Sequence, residues 1–282
     1  MRSNPTLGDN AALCYGVIDK AFVVQGLPVD KDARQGPKRA LSVTHFSIEQ
    51  WRAWAPGLES EDDWRAWCRQ PFAPADSETQ PDVSFLPAMQ RRRLSRLARM
   101  AMSVAWPLAA EGEQLPMVFA SRHGETPRTL ALLQDLARGE PLSPTQFSLS
   151  VHNAIIGQWS ILRGDTSEMT ALAAEGDGLE HAVLEAAGML AEGAPAVLLV
   201  ITEESPPEIY RPWVEDVPFP YAVALRLAPG DQWQLRLSPE APEQAPEPWP
   251  HALGLLQALL NDLPHRQHQW KSRKWTWQRN RP

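Results

Sequence analysis

Between positions 85 and 104 apolar residues recur at helical spacing: Phe85, Leu86, Met89, Leu94, Leu97, Met100 and Val104. This run predicts one long helix that Pro107 ends. Ahead of it, Ile48, Trp51 and Ala55, then Trp64 and Trp67 after a polar break, predict two short helical pieces with aromatic anchors, Ser47 capping the first. From Met117 the pattern changes to short apolar runs alternating with helical periods. Met117 to Ser121 reads as a strand, Pro127 to Arg138 as a helix capped by Thr126, and another helix follows Pro144. Glu168 to Ala173 predicts a strand, Gly178 to Glu192 a helix, and Ala196 to Ile201 a buried strand. Tyr221 to Leu227 and Trp233 to Leu237 flank Pro229, Gly230 and Asp231, a turn composition that predicts an antiparallel hairpin. A last helix is expected over His251 to Leu263. Such alternation is the texture of an α/β fold.

Composition adds boundaries. Residues 1–43 mix Gly, Pro, Asp, Lys and Arg without sustained periodicity and read as a flexible N-terminal extension; 44–264 form the body, and 265–282 a basic, Trp-rich tail. A Pro- and Glu-rich linker runs from Ser238 to Pro250. No apolar run approaches the roughly 20 residues that cross a bilayer, so no membrane span is expected. Met1 to Asn10 carries one Arg and no apolar core, unlike a secretory signal, which makes the cytoplasm the expected compartment. A net charge of -7 argues against nucleic acid as the main partner. The two cysteines, Cys14 and Cys68, form no CxxC, and His265 and His268, read as sharing a helix face, lack a third ligand, so no zinc or other metal is expected. GxSxG, HExxH, Walker A and GxGxxG patterns are absent from the sequence, and no cofactor is expected.

The stretch LSPTQFSLSVHNAIIGQWSILRGDTSEMTALAAEGDG at 142–178 resembles the part of β-ketoacyl synthases that leads into their nucleophile elbow. The Ser143-Pro144 turn, Asn153, Gly157 and Ser160-Ile161 match the helix that lines the synthase dimer interface. Matching Gly178-Leu179 and the Ala-rich helix after it places Glu175 where the catalytic cysteine would be. Acyl transfer from a thioester needs a nucleophile that is also a good leaving group, which a carboxylate does not replace. With His45 to Trp67, FLPAMQRRRLSRLARMA at 85–101, FASRHGE at 119–125, SVHNA at 150–154 and the helix at 184–193, the chain is similar to the short chain length factors of aryl polyene clusters. Those proteins resemble only the N-terminal half of a synthase, and this sequence likewise lacks HGTGT and a later Gly-rich histidine motif.

The resemblance implies a thiolase-like α/β fold, a central mixed sheet flanked by helices, and a subunit with no catalytic residue. Its partner would be an active β-ketoacyl synthase, in a heterodimer or heterotetramer, with acyl carrier protein binding transiently. Phe147, Asn153, Ile155, Trp159 and Ser160 become the tunnel and interface candidates, bulky groups there limiting chain growth. Arg92, Arg96 and Arg99 would form a basic stripe on the long helix suited to an acidic carrier protein. Two other readings compete. Arg122-His123-Gly124-Glu125 after a strand is what a histidine phosphatase would show, His123 accepting the phosphoryl group, although that chemistry needs further convergent Arg and His residues. A non-enzymatic scaffold with a synthase-like shape is the second.

Overall fold

A computed structural model of the chain describes residues 43–75, 78–238 and 247–280. The expected extension at 1–42, with Cys14, and the linker at 239–246 lie outside the described residues.

Among the described residues, seven strands form one sheet. In chain order, with the helices, they are β1 (Val43–Trp54), α1 (Glu61–Arg69), α2 (Ala88–Arg91), α3 (Arg96–Ala105), β2 (Met117–Ala120), α4 (Thr126–Ala137), α5 (Pro144–Ser148), α6 (Ala154–Arg163), β3 (Met169–Leu172), α7 (Gly178–Ala191), β4 (Val197–Glu203), β5 (Tyr221–Ser238), α8 (His251–Leu260), β6 (His265–Trp270) and β7 (Arg273–Arg279). The order is β3-β2-β4-β5-β7-β6, with β1 paired along β5. β2 runs parallel to β3 and β4, and the other pairs are antiparallel, so the sheet is mixed.

Strand alternation divides the core in two. Val118, Ala120, Val197, Leu199 and Ile201 face α1, α7 and α8, while Met117, Phe119, Leu198 and Val200 face α3 and α6. With a layer on each face, β4 is buried along its whole length, which explains its unbroken apolar run. Each fully buried Leu, Val or Ile here contributes about 1.5–3 kcal/mol.

Several expectations are corrected. The first predicted helix is β1: register shifts at Phe46/Ser47 and Ile48/Gln50 break the two-residue alternation, so Ile48, Trp51 and Ala55 only imitate a helical period, and Ser47 caps nothing. The long helix breaks at 92–95, where the Ser95 hydroxyl accepts from Ala98 N–H at 3.0 Å and starts α3 anew. Arg92 therefore closes α2 while Arg96 opens α3, and the three arginines do not share one helix. The predicted hairpin at 229–231 does not reverse. Ser47 pairs with Ala228 and Phe46 with Trp233, so 229–232 bulge out of a single strand, and Gln232 Oε1 accepts from Ile48 N–H at 3.1 Å. The basic tail is the β6–β7 hairpin of the same sheet, with Trp275 and Trp277 fully buried. On β6, His265 is exposed and His268 buried, because three residues along a strand reach opposite faces. At α4 the cap position is held by Glu125, and Thr126 is the first helical residue.

Candidate functional site

The strand β3, a five-residue turn and the start of α7 form an elbow, and the β6–β7 hairpin folds over it. Trp270 and Arg273 pair across the two-residue turn Lys271-Ser272, where Lys271 takes φ 53°, a conformation that glycine adopts more readily. Glu175 accepts from Trp270 Nε1 at 2.8 Å, from Lys271 Nζ, and from Arg273 at 3.4 Å. The Lys271 and Trp270 hydrogen bonds hold its carboxyl at about 2, well below the usual range. Gly176 lies directly under the Trp270 indole; a Cβ there would sit 2.2 Å from the ring. At the cap of α7, fully buried Asp177 receives Arg273 at 2.6 and 2.8 Å and Trp275 Nε1 at 3.0 Å. Burial alone would raise the Asp177 pKa, but these donors outweigh it and lower it.

One turn further, Glu180 is fully buried and takes three hydrogen-bonding partners from the same region. His268 Nδ1 lies at 2.6 Å, His251 Nδ1 at 2.8 Å and Trp277 Nε1 at 3.0 Å. Against the cost of burial, the two histidines hold the Glu180 pKa well below its normal value. Arg266 Nε donates to His268 Nε2 at 2.8 Å, which makes His268 Nδ1 the protonated nitrogen donating to Glu180. Burial lowers the His268 pKa, whereas for His251 the attraction of Glu180 overcomes burial and raises it. Glu180, His251 and His268 are close enough to invite a metal reading. A metal at His268 Nδ1 would require a hydrogen on Nε2, facing the Arg266 donor, and the donor set does not fit a cation.

Beside the elbow lies a partly open cavity of about 520 Å³ between the ends of β2 and β4, the turn before α7, the start of α8 and Trp270. Glu203, at the end of β4, accepts from the backbone N–H groups of Arg122 and His123, the latter at 3.3 Å, and from Ser121 Oγ at 3.1 Å. Burial still pushes its carboxyl up to about 7. The RHGE segment thus forms a turn clipped to Glu203. Its side chains are claimed by Asp216, which binds Arg122 at 2.7 Å and His123 Nε2 at 3.1 Å; these bonds outweigh burial and hold Asp216 at about 2. A carboxylate occupies the groups that a phosphoryl group would need. His152 is held by the Ser121 carbonyl at 2.7 Å.

The other sequence candidates scatter. Phe147 is 61% exposed on α5, Asn153 is exposed at the cap of α6, and Ser160 bonds the Asp165 carbonyl at 2.6 Å. Ile155 and Trp159 are buried in the core under α3. Arg99 donates to the Arg91 carbonyl at 2.7 Å and Arg96 to that of Thr79 at 3.3 Å, while Arg92 is exposed. Cys68 is buried in α1, and burial pushes its thiol up to about 11, which suppresses thiolate chemistry. Asp177, Glu180, Glu203, Asp216, Tyr221 and His251 were not singled out from sequence. Their only local signal is the acidic spacing 175, 177, 180 around a helix start.

Parallel strands feeding an elbow at the start of a helix, with antiparallel strands completing the sheet, define a thiolase-like α/β protein. Residues 64–278 match the model of the β-ketoacyl synthase N-terminal domain, and the chain belongs to that family. Among solved structures it is similar to a chain of the ketosynthase (ApeO) in complex with its chain length factor (ApeC) from Xenorhabdus doucetiae. That match has 30% identity and a TM-score of 0.75, and covers 83% of this chain and 99% of that one. The ishigamide ketosynthase/chain length factor (13% identity, TM-score 0.53, 71% and 68% covered) shares the fold. So does a β-ketoacyl synthase from Burkholderia phymatum STM815 (13%, TM-score 0.52, 78% and 71%). No curated protein sequence matches. Among the described residues, no helix is long and apolar enough to cross a membrane.

Proposed function

We propose that this chain is a non-catalytic, chain-length-factor-like subunit that pairs with an active ketosynthase in polyene or fatty-acid-type elongation and shapes the tunnel of the growing acyl chain. The observation that carries this reading is the elbow: Glu175, where a synthase would present its cysteine, is ion-paired beneath a hairpin of the same chain. A carboxylate held ionised at about 2 and tied to Lys271 is a poor nucleophile toward a thioester. The similarity to a ketosynthase and chain length factor complex supports the pairing.

The pairing surface would be the outer edge of β3, which ends the sheet, together with α5 and α6. All four β3 residues are half-buried, and Phe147, Val151 and Ile161 are 61%, 41% and 82% exposed, an apolar surface that a partner would cover. Phe147 is the residue free to reach a partner's tunnel, while Ile155 and Trp159 back that wall from inside. Arg92 would be the part of the predicted basic stripe available to a carrier protein. The test is co-expression with a ketosynthase from the same gene neighbourhood. A complex in which Phe147→Ala lengthens the products supports the reading, and an intact complex with an unchanged product distribution contradicts the tunnel role.

A further inference from the structure

The cavity beside the elbow has features that pairing does not use. Its volume of about 520 Å³ lies in the range of small-molecule sites. Trp213, Trp249, Trp270, Leu179, Ile201 and Pro250 give it largely apolar walls. Two polar groups on nearly buried side chains also line it without partners. Tyr221 is 4% exposed and its hydroxyl makes no hydrogen bond among the described residues. His251 is 5% exposed; Glu180 holds its Nδ1, and its Nε2 has no partner among the described residues. Both atoms open onto the cavity, where an incoming hydrogen-bonding group can pair with them. Burial, and then Glu203 and Asp216, raise the Tyr221 pKa well above its normal value, so this hydroxyl remains a donor.

The charge around the cavity selects against anions. Five carboxylates line it (Glu175, Glu203, Glu215, Asp216 and Glu247) against the Arg122 guanidinium and the His251 imidazole, whose pKa Glu180 raises. Glu175, Asp216 and Glu247 are paired with Lys271, Arg122 and Arg266, which leaves Glu203 and Glu215 without a cation among the described residues. A free carboxylate or phosphate would meet net negative charge in a site of reduced dielectric.

We propose that this cavity binds an uncharged apolar molecule bearing a carbonyl acceptor, such as an amide or ketone, with the acceptor on the Tyr221 hydroxyl and the chain or ring against the three indoles. The site is complete within one chain and does not depend on a synthase partner, so its test is separate from that of pairing. The full chain is titrated with decanamide and with decanoate at pH 8 by calorimetry, with tryptophan fluorescence alongside. Saturable one-to-one binding of decanamide, at least about tenfold tighter than decanoate, is expected. Tyr221→Phe removes only the hydroxyl and weakens decanamide about fivefold. Trp213→Ala, at a residue 75% exposed that does not hold the core, weakens it too. Absence of saturable binding, decanoate binding as tightly as decanamide, or unchanged affinity in both variants overturns the proposal.

Discussion

Replacing Gly176 with Ala tests whether the β6–β7 hairpin seals the elbow. The added Cβ would lie 2.2, 2.3 and 2.8 Å from three carbons of the Trp270 ring. Carbon contacts settle near 3.5–4.0 Å, so the indole must withdraw by about 1.5 Å. That movement breaks the 2.8 Å bond from Trp270 Nε1 to Glu175 and disturbs the Arg122 guanidinium, which lies 5.7 Å from the ring centroid. Overpacking of this kind costs about 1–3 kcal/mol. Gly176 has no positive φ, so without the ring an Ala is tolerated and even gains about 0.4–1 kcal/mol by restricting the unfolded chain. Urea unfolding of the parent, Gly176→Ala, Trp270→Ala and the double variant completes a cycle. The Gly176→Ala penalty should vanish in the Trp270→Ala background, giving a coupling of about 1–3 kcal/mol. Additivity within about 0.5 kcal/mol would refute the close packing of hairpin on elbow.

Other perturbations separate the remaining features. Glu203 titrates at about 7 in the fold, and about 4.3 is normal for an unfolded Glu. The native state then keeps a proton that the unfolded chain has released, so this group's contribution to stability falls as pH rises from about 4 to about 7. Glu203→Gln should flatten that slope in denaturation midpoints measured from pH 4 to 8, and parallel profiles contradict the assignment. Glu180→Ala leaves His251, His268 and Trp277 without their buried acceptor and should cost about 3–5 kcal/mol by urea unfolding; a loss below about 1 kcal/mol would mean that the network contributes little. Since the Glu180 pKa is lowered in the fold, its contribution holds above the unfolded value and disappears as the solution is acidified below it. Ser95→Ala removes the cap of α3 and a hydrogen bond to Glu125, for a loss of about 1 kcal/mol and a lower unfolding midpoint.

Elements whose order is local were legible in the residues. The apolar run of β4 and the Pro127 start of α4 carry their own signals, as does the Ala-rich α7. Elements fixed by pairing were not. β1 hides its alternation behind two register shifts, and the Pro229-Gly230-Asp231 turn becomes a bulge because β1 runs along both halves of β5. Gly230 also lies so close to Ser47 that a Cβ would meet its hydroxyl at 2.1 Å. In β7, Trp275-Thr276-Trp277 does alternate, but the surrounding Lys and Arg draw attention to charge rather than to the period of two. The site suffered in the same way. Glu175 was reachable by resemblance, whereas its partners come from residues 95 to 98 positions away and only the folded sheet brings them over the elbow. His268 was paired with His265 on a supposed helix, and on a strand it meets Glu180 and His251 instead.

The central claim is that the chain completes a condensing enzyme without performing its chemistry. The direct measurement is elongation of carrier-bound acyl chains by a co-purified ketosynthase, with this subunit either intact or carrying Glu175→Ala. The account predicts a stable heteromer whose activity requires the subunit and is unchanged by Glu175→Ala. Loss of elongation in an intact Glu175→Ala complex, or condensation by this chain alone, would contradict it.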